Sequence, residues 1–161
     1  MTNNVDILRG NRLSKTSALA SSFISSVDDD LPLIDSVKKI NIAHMLMLVK
    51  QNVLDKKTAN KCIQTLKSID DSFKLNSSLE DVHMNIESFV ISRIGNEIGG
   101  QLNLAKSRND QVATAIRMAS RTFILSILTN IHELQKVILN LSKTHTDYLM
   151  PSFTHLQHAQ I

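Results

Sequence analysis

The sequence predicts an all-α protein, with an N-terminal helical domain followed by the start of a long-helix bundle domain. The 161 residues include only four Gly and two Pro, too few for a turn-rich β architecture. Apolar residues recur at steps of three and four over most of the chain, which is the helical period. One of these stretches continues without Gly or Pro up to Pro151.

Composition and charge favour a soluble, cytoplasmic protein. Eighteen Lys and Arg stand against 15 Asp and Glu without a long basic run, so neither nucleic acid nor a membrane surface is an expected partner. The single Cys62 excludes an internal disulfide and suits a reducing compartment. The longest apolar run, Met45 to Val49, is too short to span a bilayer.

The first part of the chain predicts an arm and two helices. Residues 1–30 are rich in Ser and Asn and predict an irregular or briefly helical arm. A first helix should begin at Asp35, and a second should cover Lys56 to Ile69 with Cys62 as core filler rather than a nucleophile. The residues predicted to face inward are Val37, Ile40, Ala43, Leu46 or Met47, Val49 or Lys50, Ala59, Cys62 or Ile63, Leu66 and Ile69.

A third helix is predicted to start near Ser78. Ser77 and Glu80 have the S-x-x-E spacing of a capping box. The inward residues should be Val82, Ile86, Phe89 or Val90, and Ile94, and the glycines that follow, Gly95, Gly99 and Gly100, should end the helix.

The last predicted element is a long helix whose apolar positions run from Val112 to Leu141. At about 1.5 Å a residue it would form a rod of roughly 60 Å, which needs packing partners along its length. Its near-heptad spacing favours a helical bundle. After Pro151 the sequence predicts a turn and the first turn of another helix, so the predicted domains are 1–105 and 106–161.

Three polar clusters lie at predicted helix N-termini or just before them: EDVHMNIE at Glu80 to Glu87, SRNDQ at Ser107 to Gln111, and THLQ at Thr154 to Gln157. Helix N-termini attract carboxylates, and an Arg side chain can bind a carboxylate with two donors. The SRNDQ cluster is therefore suited to a dicarboxylate ligand.

Each cluster also has a structural interpretation. Ser107 or Asn109 could cap the long helix, with Asp110 favoured by the helix dipole, and residue types alone favour that view. His83 and His155 could be ordinary partly buried histidines. His155 and His158 are three residues apart but lack a third ligand, so no metal site is expected.

Five segments, taken in order, resemble the argininosuccinate lyases of the fumarase/aspartase superfamily. They are RGNRLS, AHMLML, EDVHMNIE, GGQLNLAKSRNDQVAT and MPSFTHLQHAQ. The resemblance implies a mostly helical fold whose long helices assemble into a homotetramer. It also implies a cofactor-independent reaction, the reversible elimination of argininosuccinate to arginine and fumarate.

The resemblance assigns roles to nine residues. It implies substrate binding by Asn109 and Thr154, with Ser107, Arg108 and Gln111 completing the carboxylate site, and acid or base work by His155. Asp81 and His83 would line the same site, and Ser14, in the segment that matches most loosely, would be an N-terminal substrate contact.

The chain departs from the family in two places. The family usually has His-Thr-Gly-Arg before SRND, whereas this chain has Asn103, Leu104, Ala105 and Lys106. The family's third signature, a mobile loop with a catalytic Ser, does not occur before Ile161. We therefore expect the isolated chain to be inactive unless a complementing C-terminal chain is present.

Two other functions fit the sequence less well. A non-catalytic helical oligomerisation protein, or a degenerate family member, would explain the two departures. Adenylosuccinate lyase shares the chemistry, but the SRNDQVAT stretch favours the arginine enzyme.

Overall fold

The computed structural model describes residues 17–160, so Ser14 lies outside the described part of the chain. The described residues are mainly helical, which confirms the predicted class. The helices are α1 (Ala18–Ile24), α2 (Ile34–Lys50), α3 (Lys56–Lys67), α4 (Val82–Ile94), α5 (Asn96–Gly99) and α6 (Arg108–Thr144), with short 3₁₀ segments at Leu31–Leu33 and Gly100–Asn103. Strands β1 (Phe153–Thr154) and β2 (Gln157–His158) follow.

The chain divides into two compact units, Met1–Ser120 and Arg121–Ile161. In the first unit, α2, α3 and α4 pack around one apolar core. The inward faces predicted for α3 and α4 are confirmed, and Cys62 is fully buried as core filler. The core side chains that are completely or almost completely buried include Val37, Met45, Leu48, Cys62, Leu66, Val82, Ile86 and Val90.

The face predicted for α2 was wrong over its second half. Leu46 and Met47 are 58% and 41% exposed, whereas Met45 and Leu48 are buried. The buried stripe passes through Asn41, which is 2% exposed. Because Asn41 is polar, a prediction based only on the spacing of apolar residues places the buried face on the wrong side of the helix.

The predicted capping box at Ser77 and Glu80 was also wrong. Helix α4 begins at Val82, and its cap is Asp81, whose side chain accepts a hydrogen bond of 2.7 Å from the Met84 N–H. Ser78 instead belongs to a turn closed by Asn76, whose side-chain oxygen accepts from the Ser78 N–H at 2.9 Å. Asp81 therefore starts the helix four residues after the predicted cap.

The predicted long helix is confirmed as α6, which has 37 residues. Only Gln111, Ala115 and Ala119 of this helix are buried, and every described residue from 121 to 160 is exposed. Its apolar seam, here defined as the following side chains, is 45% to 60% exposed: Ile116, Phe123, Ile127, Ile131, Leu134, Ile138 and Leu141. A regular, exposed apolar seam is typical of a helix that packs in a bundle.

By length and composition alone, α6 could also cross a membrane, and it is the one such helix within residues 17–160. One helix of this kind is weak evidence, because bundle helices meet the same criteria. Arg121, Glu133 and Lys136 are distributed along it, and they are expensive to place in lipid. The seam favours the bundle interpretation.

In the second unit, a β-hairpin stands where the start of a helix was predicted. Thr154 pairs with Gln157, and the two central residues, His155 and Leu156, have φ values of 51° and 62°. Positive φ at both central positions is the geometry of a two-residue hairpin turn. Strands of two residues are too short to leave a period-2 pattern in the sequence.

Candidate functional site

An ion pair joins two of the three polar clusters. Arg108 Nη1, at the start of α6, lies 3.2 Å from Asp81 Oδ1, at the N-terminus of α4. The Asp81 side chain is 18% exposed and that of Arg108 is 39% exposed, so the pair lies at the edge of the core. The same Asp81 oxygen caps α4, which fixes the carboxylate that Arg108 contacts.

The carboxylate of Asp30, which is distant from α4 in the sequence, also contacts the N-terminus of this helix. Asp30 Oδ2 accepts hydrogen bonds of 2.9 Å from the Val82 N–H and from the Ser26 hydroxyl. The Ser26 N–H donates to the Glu80 carbonyl at 2.9 Å. An acidic run such as residues 28–30 usually caps a helix or faces solvent, and the sequence did not indicate that Asp30 contacts α4.

His83 is buried beside this ion pair. Its side chain is 5% exposed, and neither ring nitrogen has a hydrogen-bond partner among the described residues. Gln111 lies close enough to favour the charged ring, although the pair does not meet normal hydrogen-bond geometry. Burial is the main reason why the pKa of His83 is lowered, and Asp81 opposes the shift. Its burial therefore favours the neutral imidazole.

Lys106 and Glu87 form a further charged group that the sequence did not reveal. Lys106 Nζ donates a hydrogen bond to Asn41 Oδ1 on α2. Burial lowers the pKa of Lys106 to about 8, with Glu87 opposing the shift and Arg108 adding to it. Burial also raises the pKa of Glu87, against a hydrogen bond from Asn103 and the charge of Arg108.

A cavity of about 670 Å³ lies between α2 and the start of α6. Its polar lining includes Lys106, Ser107, Gln111 and His44, and its apolar lining includes Ile40 and Met118. His44 Nε2 lies 2.7 Å from the Leu104 carbonyl oxygen, and the pKa of His44 is lowered chiefly by burial. The volume suits a small organic molecule.

The turn before α6 presents its polar residues to solvent. The Ser107 carbonyl accepts the first hydrogen bond of the helix from the Gln111 N–H, at 3.2 Å, so Ser107 is the capping position. Asn109 is therefore in the first helical turn, and it is exposed. Helix capping therefore explains why a polar residue occurs at position 107, but it does not explain the Asn at position 109.

The remaining predicted site residues lie elsewhere in the chain. Thr154 is in β1 and His155 is in the hairpin turn, and both are exposed within the second unit. In the first unit the structure brings together Asp81, His83, Arg108 and Gln111. Within residues 17–160, no group of three His, Cys, Asp or Glu side chains could hold a metal ion.

Comparison with known proteins gives consistent matches over almost the whole chain. A family profile described as Lyase matches residues 10–161. Proteins called argininosuccinate lyase are similar, including one from Methanococcus aeolicus that is 42% identical over 98% of this chain. Others are from Methanocorpusculum labreanum, 38% identical over 96% of this chain, and Staphylococcus aureus, 41% identical over 86%. The matches cover 34%, 32% and 31% of these relatives, so the chain spans about a third of their length.

Proposed function

Because this chain belongs to the lyase family, we propose that it forms part of an argininosuccinate lyase, which eliminates fumarate from argininosuccinate to give arginine. The observation that carries the proposal is the contact between Arg108 and Asp81. It joins the two polar clusters of the first unit beside the N-terminus of α6. The matches with relatives of that name extend over 96% and 98% of the chain, a range that includes both clusters.

The proposed carboxylate site lies at the start of α6. The exposed Asn109 amide and the Ser107 hydroxyl supply uncharged donors there, and the helix dipole adds positive potential. Arg108 is partly occupied by Asp81, so its role is to orient that carboxylate while its remaining donors face the ligand. Thr154 is proposed as a further substrate contact.

In the proposed reaction, a base removes a proton from the carbon next to a substrate carboxylate. The electron pair left on that carbon forms the double bond of fumarate as the carbon–nitrogen bond breaks. The departing guanidino nitrogen takes a proton from an acid, and arginine is released. Donors at Asn109 and Ser107 would stabilise the negative charge that develops on the carboxylate.

His155 is the proposed acid or base residue. Its backbone has a φ of 51°, in the left-handed region that the hairpin turn requires and that His adopts more often than most residues. Residues held in such conformations occur often at functional sites. His83 is proposed to line the site as a neutral imidazole, which its burial favours.

We further propose a cytoplasmic homo-oligomer that needs no cofactor or metal ion. The exposed seam of α6 supports assembly, because a seam of this length is stabilised only when another helix covers it. A homotetramer is the assembly that the family resemblance implies. The substrate and products, argininosuccinate, fumarate and arginine, are small molecules.

A chimera tests the proposal. Residues 1–161 would be fused to the part of the Methanococcus aeolicus argininosuccinate lyase that follows the matched region, and fumarate formation would be followed by ultraviolet absorbance. We expect fumarate from argininosuccinate and none from adenylosuccinate. A folded, assembled chimera that produces no fumarate from argininosuccinate would contradict the proposal.

A second candidate function is a non-catalytic helical assembly protein. The observation in its favour is the changed sequence at Asn103 to Lys106 together with the exposed seam of α6. It would be supported by a chimera that assembles normally and lacks lyase activity even when residues 103–106 are changed to His-Thr-Gly-Arg.

A further inference from the structure

Lys106 crosses from the turn before α6 to a buried acceptor on α2. Its Nζ donates to Asn41 Oδ1, and Asn41 is 2% exposed. The Asn41 amide is held from the other side, because its Nδ2 donates to the Val37 carbonyl at 3.0 Å. Because the amide is held in this orientation, its oxygen points toward Lys106.

The charges around Lys106 come from three helices. Glu87 on α4 attracts it, and Arg108 on α6 repels it. On α2, His44 is close enough for its own pKa to be lowered by Lys106. Lys39 and Asp110 line the same cavity, but Lys39 is paired with Asp35 at 2.6 Å. Glu87 is therefore the main counter-charge.

Lys106 immediately precedes Ser107 in the sequence, and Ser107 is the capping residue of α6. The contact of the lysine with Asn41 therefore links the backbone next to Ser107 to α2. We propose that Lys106 is a positioning residue that ties the turn carrying Ser107, Arg108 and Asn109 to α2 through Asn41. The link between Lys106 and Asn41 does not depend on the proposed function. Only the role of the turn in binding substrate rests on it.

A pH dependence follows from this geometry. With a pKa of about 8, Lys106 loses its charge within a range where an ordinary lysine remains protonated. Its attraction to Glu87 is then lost, and the neutral amine remains a weaker donor to Asn41. The turn at residues 107–111 should therefore change conformation as the pH rises through about 8.

Carbon-13 NMR of the 161-residue chain tests this inference. The carbonyl and Cα shifts of residues 107–111 and the Cε shift of Lys106 would be followed from pH 6.5 to 10. Carbon shifts are preferred because amide protons exchange rapidly at high pH. We expect all of these signals to move together with a midpoint near 8.

Three variants complete the experiment. In Lys106→Arg the transition of residues 107–111 should disappear, because the guanidinium stays charged throughout this range. Lys106→Met removes both the charge and the donor to Asn41, so the transition of residues 107–111 should be absent in this variant too. Lys39→Met, which removes a different lysine from the cavity lining, should leave the transition unchanged.

The inference is overturned if residues 107–111 show no transition near pH 8, or if the transition persists in Lys106→Arg. If Lys106→Met does not fold, the Lys106→Arg result alone decides. A failure of the chimera to form fumarate would not move these shifts, so the two proposals fail independently.

Discussion

At the scale of single residues, Ala105 has a backbone conformation that favours glycine. Its φ is 57°, and it stands where the argininosuccinate lyases usually have the Gly of His-Thr-Gly-Arg. A side chain in the left-handed region costs roughly 1–2 kcal/mol, and glycine avoids that cost but loses more chain entropy on folding. In this chain an Ala occupies that position although its backbone is left-handed.

Ala105→Gly should therefore raise the free energy of unfolding by about 1 kcal/mol, measured by urea denaturation. Ala113→Gly is the matched control, because Ala113 is exposed within α6. It should lower the free energy of unfolding by about 1 kcal/mol. A loss of stability in both variants would contradict the left-handed turn.

His83 should make stability depend on pH. Burial lowers its pKa in the folded state from 6.5, so the unfolded chain binds the proton more readily. The contribution of His83 is fully present above pH 6.5 and is lost as the pH falls through the lowered folded value. The pKa of His44 is lowered too, so both residues contribute in the same direction.

We expect His83→Leu to lose less stability than the wild type between pH 7.5 and 5.5, as measured by the urea midpoint at each pH. His132→Leu, in an exposed part of α6, is the control and should follow the wild type. An equal loss of stability in His83→Leu and the wild type would show that His83 is not held neutral in the folded state.

The sequence could predict some of these residues and not others. The resemblance pointed to Asp81, His83 and Arg108, which the structure brings together. It did not point to Asp30 or Lys106, whose partners lie 52 and 65 residues away in the chain. Such contacts depend on how the helices pack, and no local pattern in the sequence specifies that packing.

At the scale of the elements, α4 and α5 meet at a close backbone approach. A Cβ on Gly99 would lie 2.8 Å from Ile91 Cα, which is a backbone atom that cannot move aside. A Cβ on Gly100 would meet only the Asn96 side-chain oxygen, at 3.3 Å. A side chain should therefore be accommodated at Gly100 but not at Gly99.

Gly99→Ala should destabilise the protein by about 1–3 kcal/mol, because the clash separates α5 from α4. Gly100→Ala should change the free energy of unfolding by less than about 1 kcal/mol, since Gly100 has an ordinary right-handed backbone. Thermal unfolding followed by circular dichroism measures both. Similar losses in the two variants would refute the close approach.

The predictability of each element depended on its length and on the residues in its buried face. The period of α6 persists over many turns, so the helix was correctly predicted from Val112 to Leu141. The hairpin at Phe153 to His158 has two residues in each strand, and its turn is formed by His155 and Leu156 rather than Asn-Gly. That turn lacks the residues that normally identify it.

At the scale of the whole molecule, the exposed seam of α6 is an extended apolar surface, and the proposed assembly would cover it. Apolar side chains exposed to this extent along a helix favour self-association in water. The first unit has its own core, whereas no residue described from 121 to 160 is buried. Assembly would therefore be driven by the second unit.

The double variant Ile127→Lys and Ile131→Lys should reduce the molar mass of the chain in solution, measured by size-exclusion chromatography with light scattering. Both residues lie on the seam, and charges there oppose helix packing. The control, Thr129→Lys with Asn140→Lys, adds the same charge on the side of the helix away from the seam and should keep the wild-type mass. Equal masses for both double variants would exclude the seam as the interface.

The most direct test of the account is the kcat/KM of Asn109→Ala in the chimera with the Methanococcus aeolicus enzyme. Asn109 is exposed and lies beyond the capping position, so the account predicts a loss of about 100-fold with unchanged helical content. The same substitution at Asn130, exposed in the same helix, should leave kcat/KM unchanged. An Asn109→Ala chimera that keeps its activity but loses helical content would contradict the account, because the residue would then serve only to stabilise the helix.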